Sequence, residues 1–292
     1  MIEIENLNFR YDGSAKPALL DINLTIDDGE YVAVIGPNGC GKTTLVQHFN
    51  ALHLPASGTV RIDGMPTSDP RHVREIRRLV GMVFQNPDNQ IVGMTVEEDI
   101  AFGPENLGLP SREIGRRVEE SLDAVGLRSI AERPPHTLSG GEKRLVAVAG
   151  VLAMKPRHIA FDEPTSYLDP SAKKRILEVI RNLHKEGMTV IHITHDMDEV
   201  AAADRIVVMN EGRVHQTGTP EEICSGVECL KELGLGIPKA TELLWKLKER
   251  GGNIRTDILT IEGACDEINA WLRRESLMAN SGQEPSGERR DV

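Results

Sequence analysis

Apolar residues recur at short intervals in the first thirty positions: Ile2, Ile4, Leu7 and Phe9, then Leu20, Ile22, Leu24 and Ile26. Such alternation predicts two half-buried antiparallel strands. Between them Arg10-Tyr11-Asp12-Gly13 reads as a turn with a tyrosine at its base. The apolar run Tyr31 to Ile35 predicts a third strand, Thr59 to Gly64 a short strand and turn, Arg71 to Arg78 a charged helix, and Leu79 to Phe84 a strand ending at Gln85. Ser111 to Val125 has helical periodicity, with Ser111 as N-cap and Ile114, Val118, Leu122 and Val125 on one face. A second helix runs from the Leu138-Ser139-Gly140-Gly141-Glu142 stretch through Ala153. His158 to Glu163 is a short strand-like run ending in two carboxylates. Asp169 and Pro170 then open a helix whose apolar face is Ile176, Val179, Ile180 and Leu183. Thr189 to Thr194 is a β-branched strand ending at His195-Asp196, and residues 204–215 form a hairpin. Thr219-Pro220-Glu221-Glu222 is a capping box. Beyond it the pattern changes. Ala240, Leu243, Leu244 and Leu247 share one helical face, as do Ile261, Cys265, Ile268 and Leu272. Residues 223–274 are read as a small appended domain, and the polar residues 275–292 as a disordered tail.

Composition narrows the class. The 292 residues are 39% hydrophobic, and no apolar run reaches the roughly 18–20 residues that span a bilayer. With no charged-apolar-small leader at the start, the expected location is cytoplasmic. A net charge of −11 argues against a large nucleic-acid surface. The four cysteines show no zinc spacing and read as reduced thiols. Cys40 stands apart. It lies in a glycine-rich loop ahead of a helix, where a thiolate should be favoured, so alkylation is expected to block whatever the loop binds and the bound ligand to protect.

That loop carries the strongest chemistry. Gly36-Pro37-Asn38-Gly39-Cys40-Gly41-Lys42-Thr43-Thr44 follows a strand, precedes a helix and reads G-x-x-x-x-G-K-T. Glycines let backbone N–H groups converge on phosphate oxygens, and the following helix start adds unsatisfied donors. Lys42 would reach the terminal phosphates, and Thr43 would give a hydroxyl ligand to magnesium. Ser139-Gly140-Gly141 offers a second helix start of the same kind. Asp162 and Glu163 end a strand, as magnesium and general-base chemistry beside a phosphate loop require.

Taken in order, Tyr11, the Gly36–Thr43 loop, Gln85, Leu138-Ser139-Gly140-Gly141, Phe161-Asp162-Glu163-Pro164, Ser166-Tyr167-Leu168-Asp169 and Thr194-His195-Asp196 resemble the nucleotide-binding subunit of ATP-binding-cassette (ABC) transporters. Phe84 to Gln90, Thr95 to Asn106 and Gly234-Leu235-Gly236-Ile237-Pro238 look most like the ATPases of energy-coupling-factor (ECF) transporters, importers of vitamins or transition-metal ions. The resemblance spans about residues 1–274. It implies an α/β P-loop NTPase fold: a RecA-like core with an antiparallel β subdomain and a helical subdomain at about residues 86–155, together residues 1–222. A small C-terminal α/β dimerisation domain would follow at residues 223–274.

It also implies roles. Two subunits would bind head to tail with ATP and Mg2+ between them, the phosphate loop of one facing Ser139-Gly140-Gly141 of the other. Glu163 would be the general base, or polarise the attacking water. Asp162 would hold magnesium through water, and Gln85 would contact both magnesium and that water. His195 would contact the terminal phosphate and support the transition state, Lys42 would reach the terminal phosphates as a point charge, Tyr11 would stack on adenine, and Asp169 would sit at the subunit interface. The second ATPase could be an identical copy or a similar paralogue. A transmembrane coupling subunit and a substrate-binding membrane subunit would hold the pair at the cytoplasmic face of the cell membrane, the Gln85–Gln90 loop lining the groove for the former. Three residues depart from the pattern: Glu142 stands where glutamine is usual, Tyr167 where a small residue is common, and His158 opens the strand before Asp162. A conventional ABC transporter ATPase is the alternative. The long coiled-coil insertion of DNA-repair relatives and the paired cassettes of translation factors do not occur in this sequence, and the intact catalytic set opposes an inactive scaffold.

Overall fold

The computed structural model describes residues 1–281. The first strands, β1 (Ile2–Phe9) and β2 (Leu19–Ile26), pair antiparallel, as the alternation requires. The alternation nevertheless fails at Leu20, which is half-buried, while Leu19 is fully buried. The pairing slips at two points, near Asn6 (φ 50) and near Asp21 (φ 53). An extra residue at a bulge exchanges the faces of everything beyond it.

From β3 (Tyr31–Ile35) the chain passes through the glycine loop into the short α1 (Lys42–Gln47), then β4 (Ser57–Ile62), β5 (Met65–Pro66), α2 (Val73–Leu79) and β6 (Val80–Val83). Three helices follow and pack on one another: α3 (Val96–Asn106), α4 (Ser111–Val125) and α5 (Gly140–Leu152). The expected N-cap of α4 shifts by one. Pro110 holds that place in extended geometry, so Ser111 lies in the first turn and makes no capping bond. Next come β7 (His158–Asp162), α6 (Pro170–Lys185), β8 (Thr189–Ile193), β9 (Arg205–Asn210) and β10 (Arg213–Gly218).

Two sheets result. The smaller is antiparallel, in order β2-β1-β4-β5. The larger, in order β10-β9-β3-β8-β7-β6, is parallel except for β10. Its strands β3, β7 and β8 are buried at every residue, because both faces are covered. On β3, Tyr31, Ala33 and Ile35 face the helical side with Val146, Phe161 and Ile176, while Val32 and Val34 face a second core with Leu45, Phe49 and the small sheet. Adjacent parallel strands end on one edge of the sheet. The loops after β3, β7 and β8 therefore converge there, where ligands bind in open α/β sheets.

The appended segment differs from expectation. Its regular elements among the described residues are all helices: α7 (Pro220–Ser225), α8 (Val227–Glu232), α9 (Lys239–Glu249) and α10 (Ile261–Ser281). The stretch 252–260 forms no strand and pairs with none, so no sheet forms and the domain is not α/β. Its Ile254 packs instead with Ala240, Leu244 and Ala264 in a small core of its own. The expected boundary at 222/223 falls inside α7, whose Ile223 and Cys224 belong to the main core with Leu230. Of the tail expected to be disordered, 275–281 continue α10, and the rest lies outside the described residues. Among the described residues no helix is long and apolar enough to cross a membrane.

Candidate active site

The glycine loop is shaped by what surrounds it. Gly36 takes φ 155 at the end of β3, and a Cβ there would overlap the Met209 carbonyl oxygen and lie 2.7 Å from Cys40 Sγ. Gly41, the residue before α1, takes φ 105, and a Cβ there would lie 2.5 Å from the Ala18 carbonyl oxygen. Only glycine fits either place. The Lys42 ammonium folds back over the loop and donates to the carbonyl oxygens of Gly36 (2.8 Å) and Pro37 (3.0 Å). Thr43 Oγ1 lies 3.0 and 2.9 Å from the two carboxylate oxygens of Asp162 at the end of β7.

Burial pushes the Asp162 carboxyl above its ordinary range, and the charge of Glu163 adds to this; the Thr43 bond, Lys42 and Arg144 oppose it. A buried carboxylate short of positive charge beside a hydroxyl is a donor set that suits Mg2+. Glu163 adopts φ 47, uncommon for a residue with a Cβ. Its N–H donates to Ile193 O (3.0 Å) on β8, which stabilises the strained turn. Its side chain collects the remaining chemistry. Glu163 Oε2 accepts from Gln85 Nε2 (2.9 Å) and Ser166 Oγ (2.8 Å), and His195 Nδ1 lies 3.4 Å away. Residues from the ends of β6, β7 and β8 thus meet on one carboxylate oxygen.

The segment bearing Gln85 is held at several points. Gln90 accepts from Phe84 N–H (3.2 Å) and donates to Met82 O (3.3 Å), closing the loop on itself. Arg144 of α5 donates to Phe84 O at 2.6 Å, and Lys143 pairs with Asp88 at 2.6 Å. Near α1, Tyr11 is exposed, bonds Thr44 Oγ1 through its hydroxyl (3.0 Å), and rests edge-on against Phe9 at 5.0 Å.

Two predicted groups stay apart from this cluster. Ser139 caps α5, and Glu142 Oε2 accepts from both its N–H and its hydroxyl at 2.8 Å. Asp169 caps α6 through Ser171 and Ala172 N–H groups. Gly140 and Gly141 lie against Leu168 and Ala172 rather than the phosphate loop. No hydrogen bond among the described residues joins these groups to Lys42, Asp162 or Glu163.

The profile of the ABC transporter family matches residues 19–166, which run from β2 through the phosphate loop to Ser166 beside Glu163. The chain belongs to the ABC transporter family. Among the relatives of this ABC protein, the cobalt import ATP-binding protein CbiO of Syntrophus aciditrophicus is 59% identical over 271 residues, covering 93% of this chain and 97% of its own. The ECF transporter ATP-binding protein EcfA1 of Caldanaerobacter subterraneus is 52% identical, covering 92% and 98%. Among solved structures, CbiO1 of Clostridium perfringens, described as part of the ABC transporter complex CbiONQ, aligns with a TM-score of 0.71 and 39% identity over 80% of this chain and 93% of its own. The dimeric ATP-binding cassette MJ0796 bound to ADP and Pi aligns at 0.69 with 31% identity, over 75% and 99%. The fold is that of the ABC ATPases, and the chain is an ATP-binding subunit whose hydrolysis is coupled to transport.

For this ABC ATPase, one expectation is overturned and several residues were missed. Cys40 does not present a thiolate. It is 5% exposed and sits in the core with Leu45 and Met209, and burial pushes its thiol up by more than Lys42 pulls it down. The motif places it before a helix but says nothing of what covers it. The roles of Ser166 and Arg144 were also unforeseen. The signal for Arg144 was a charge at the start of an otherwise apolar helix. Glu142, a departure from the family pattern, has a local reason, because its carboxylate completes the capping box. Tyr167, at φ 64, is almost fully exposed, and nothing in the structure explains the aromatic ring there.

Proposed function

We propose that this chain is the ATPase of an ECF-type importer, pairing with a second ATPase subunit, an identical copy or a similar paralogue, and coupling ATP hydrolysis to uptake of a transition-metal ion or vitamin. The observation that carries the reading is the convergence of Gln85, Ser166 and His195 on the Glu163 carboxylate beside the Lys42–Thr43–Asp162 cluster. Such an arrangement can orient a water and receive its proton, and each of its parts is intact.

Glu163 is the general base, or at the least polarises the attacking water. Gln85 and Ser166 fix which way its oxygen points, and His195, the more exposed partner, reaches toward the terminal phosphate. Lys42 balances phosphate charge, Thr43, Asp162 and Gln85 hold Mg2+, and Tyr11 receives the adenine. Bound Mg2+ would neutralise charge on the phosphate oxygens. Catalysis here is positioning and electrostatics. Ser139, Gly140 and Gly141 lie apart from their own phosphate loop, which supports a head-to-tail pair in which they serve the partner's ATP, with Asp169 near the seam. The C-terminal helices would contribute to that pairing. With no membrane-crossing helix among the described residues, transport would need a transmembrane coupling subunit and a substrate-binding subunit, which would hold the ATPases at the cytoplasmic face of the membrane. The 59% identity to a protein named for cobalt import makes Co2+ the first cargo to test.

Glu163→Gln keeps shape and removes the base. It should cut ATP turnover by 100-fold or more, leave ATP binding within about threefold, and accumulate an ATP-bound dimer on size exclusion. Turnover near the wild-type rate would remove Glu163 from its role. Pull-down of the tagged chain from its native membrane, with metal analysis of the complex, tests partners and cargo together.

A further inference from the structure

Behind the catalytic cluster lies a carboxylate that the mechanism above does not use. Glu199 follows His195 by four residues and is 3% exposed. Burying a carboxylate is costly unless every lone pair is met. Here each oxygen is met from a different strand end. Oε1 accepts from Thr165 Oγ1 at 2.7 Å and from the Lys173 ammonium at 2.9 Å. Oε2 accepts from Thr194 Oγ1 at 2.6 Å, and His192 Nε2 lies 3.3 Å away. The other nitrogen of His192 bonds the Tyr31 hydroxyl at 2.9 Å, which extends the network across β8 to β3.

The location of these partners gives the network its meaning. Thr165 lies two residues beyond Glu163, and Thr194 immediately precedes His195. The ladder between β7 and β8 ends at the Asp162–Ile193 pair, just before both catalytic residues. Past that point the main-chain link is the bond from Glu163 N–H to Ile193 O, and besides the direct His195–Glu163 side-chain contact the two segments are bridged through the width of one carboxylate. Lys173 brings in α6, the helix capped by Asp169, and also pairs with Asp196 beside His195.

We propose that Glu199 is a positioning residue for ATP hydrolysis, its two carboxylate oxygens setting the separation between the Glu163 turn and His195. The inference rests on the functional reading above. Burial alone would raise the Glu199 carboxyl, but contacts with His192, Thr194 and Thr165 outweigh it and hold the group at about 2. The clamp is therefore charged throughout the neutral range. Glu199 needs no contact with nucleotide to act, and a buried ion cluster that only supported the fold would not need to divide its two oxygens between the two catalytic strands.

The test is steady-state ATPase kinetics on the full chain, with nucleotide affinity and thermal midpoint measured on the same preparations. Glu199→Gln should lower kcat tenfold or more while KM and the Kd for ATP stay within threefold. Thr165→Val and Thr194→Val leave the carboxylate in place and each remove one arm. Each should lower kcat three- to tenfold, and neither should add a comparable loss on top of Glu199→Gln, because the bridge is already broken. A Glu199→Gln protein with a lower melting point but kcat within twofold of wild type would make the cluster a fold anchor and overturn the proposal. So would parallel losses in kcat and ATP affinity. If Glu199→Gln fails to fold, the threonine variants decide, and unchanged kcat in both refutes the clamp. Wild-type protein run alongside separates the two readings: absence of ATPase there sinks the functional assignment itself.

Discussion

His48 should make this protein acid-sensitive well above the pH at which carboxylates titrate. It closes α1 immediately behind the phosphate loop and is fully buried. Nδ1 donates to Thr44 O at 2.7 Å, and the ring packs edge-on against Phe9 at 4.8 Å. Burial pushes its pKa from 6.5 to about 4, against the bond to Thr44, which favours the charged form. The sign follows from linkage. In the unfolded chain the imidazole takes a proton as pH falls through the ordinary value, while in the folded protein it stays neutral until about 4. The native state therefore loses stability progressively across that window. At about 1.4 kcal/mol per pH unit the full loss is on the order of 3 kcal/mol, and by pH 5 about 2 kcal/mol has gone. His48→Gln keeps an N–H donor for Thr44 O and cannot titrate. Urea unfolding of both proteins at pH 7.5, 6 and 5 isolates this group, because every other titration is common to the two. The stability difference between them should shift by about 2 kcal/mol toward the variant between pH 7.5 and 5. A difference constant to within about 0.5 kcal/mol over that range would show that His48 is not held neutral by burial, and the reasoning would fail.

Other outcomes follow from the same geometry. Cys40 should react with a disulfide reagent at neutral pH at least tenfold more slowly than the exposed Cys265, and ATP should change its rate little; rapid, ATP-sensitive labelling of Cys40 would contradict its burial. Gly36→Ala must move the Met209 carbonyl or the loop, so ATP binding should fall by more than tenfold and stability by about 2 kcal/mol or more, read by nucleotide titration and urea unfolding. Asp88→Lys should impair transport in vesicles while sparing basal ATPase, and the double reversal with Lys143→Asp tells why. If restoring the internal pair restores transport, the effect was intramolecular, and Asp88 is not facing the membrane partner.

What could be read from the chain alone divides along a physical line. The strand–glycine loop–helix unit, the Asp162-Glu163 strand end and the Thr194-His195 strand end are each local, and local patterns carry them. The bond between Gln85 and Glu163 joins residues 78 apart, and only the fold supplies it. Leu20 was misplaced because alternation holds no record of a bulge. Cys40 was misjudged because the motif specifies backbone shape but not the core packed over it. The α/β expectation for the C-terminal segment came from the family resemblance and from no strand pattern in its own residues, and a strand needs a partner that none of the described residues offers. Glu199 looks like any charge in a polar loop, and only the two threonine hydroxyls arriving from different strands give it meaning.

The accuracy of this site arises in two stages. Parallel pairing of β3, β8 and β7 delivers the phosphate loop, Asp162 and His195 to one edge, but a ladder positions only what lies within it. Glu163 and His195 both lie one residue or more beyond the last pair, where side chains must take over from the ladder. The structure does so with a left-handed turn at Glu163, a single oxygen shared by Gln85 and Ser166, and the Glu199 carboxylate behind. Among the described residues the phosphate loop has no such reinforcement from the Ser139 helix start. Ser139 is occupied by Glu142, and its helix start is turned to Leu168 and to Ala172 in the first turn of α6 of its own chain. The inner half of the site is thus over-determined by this chain, and in the proposed head-to-tail pair the outer half is left to a second one. That division is what a device needs if ATP is to draw two subunits together and hydrolysis is to release them: rigid chemistry on one side, and a surface that can leave on the other.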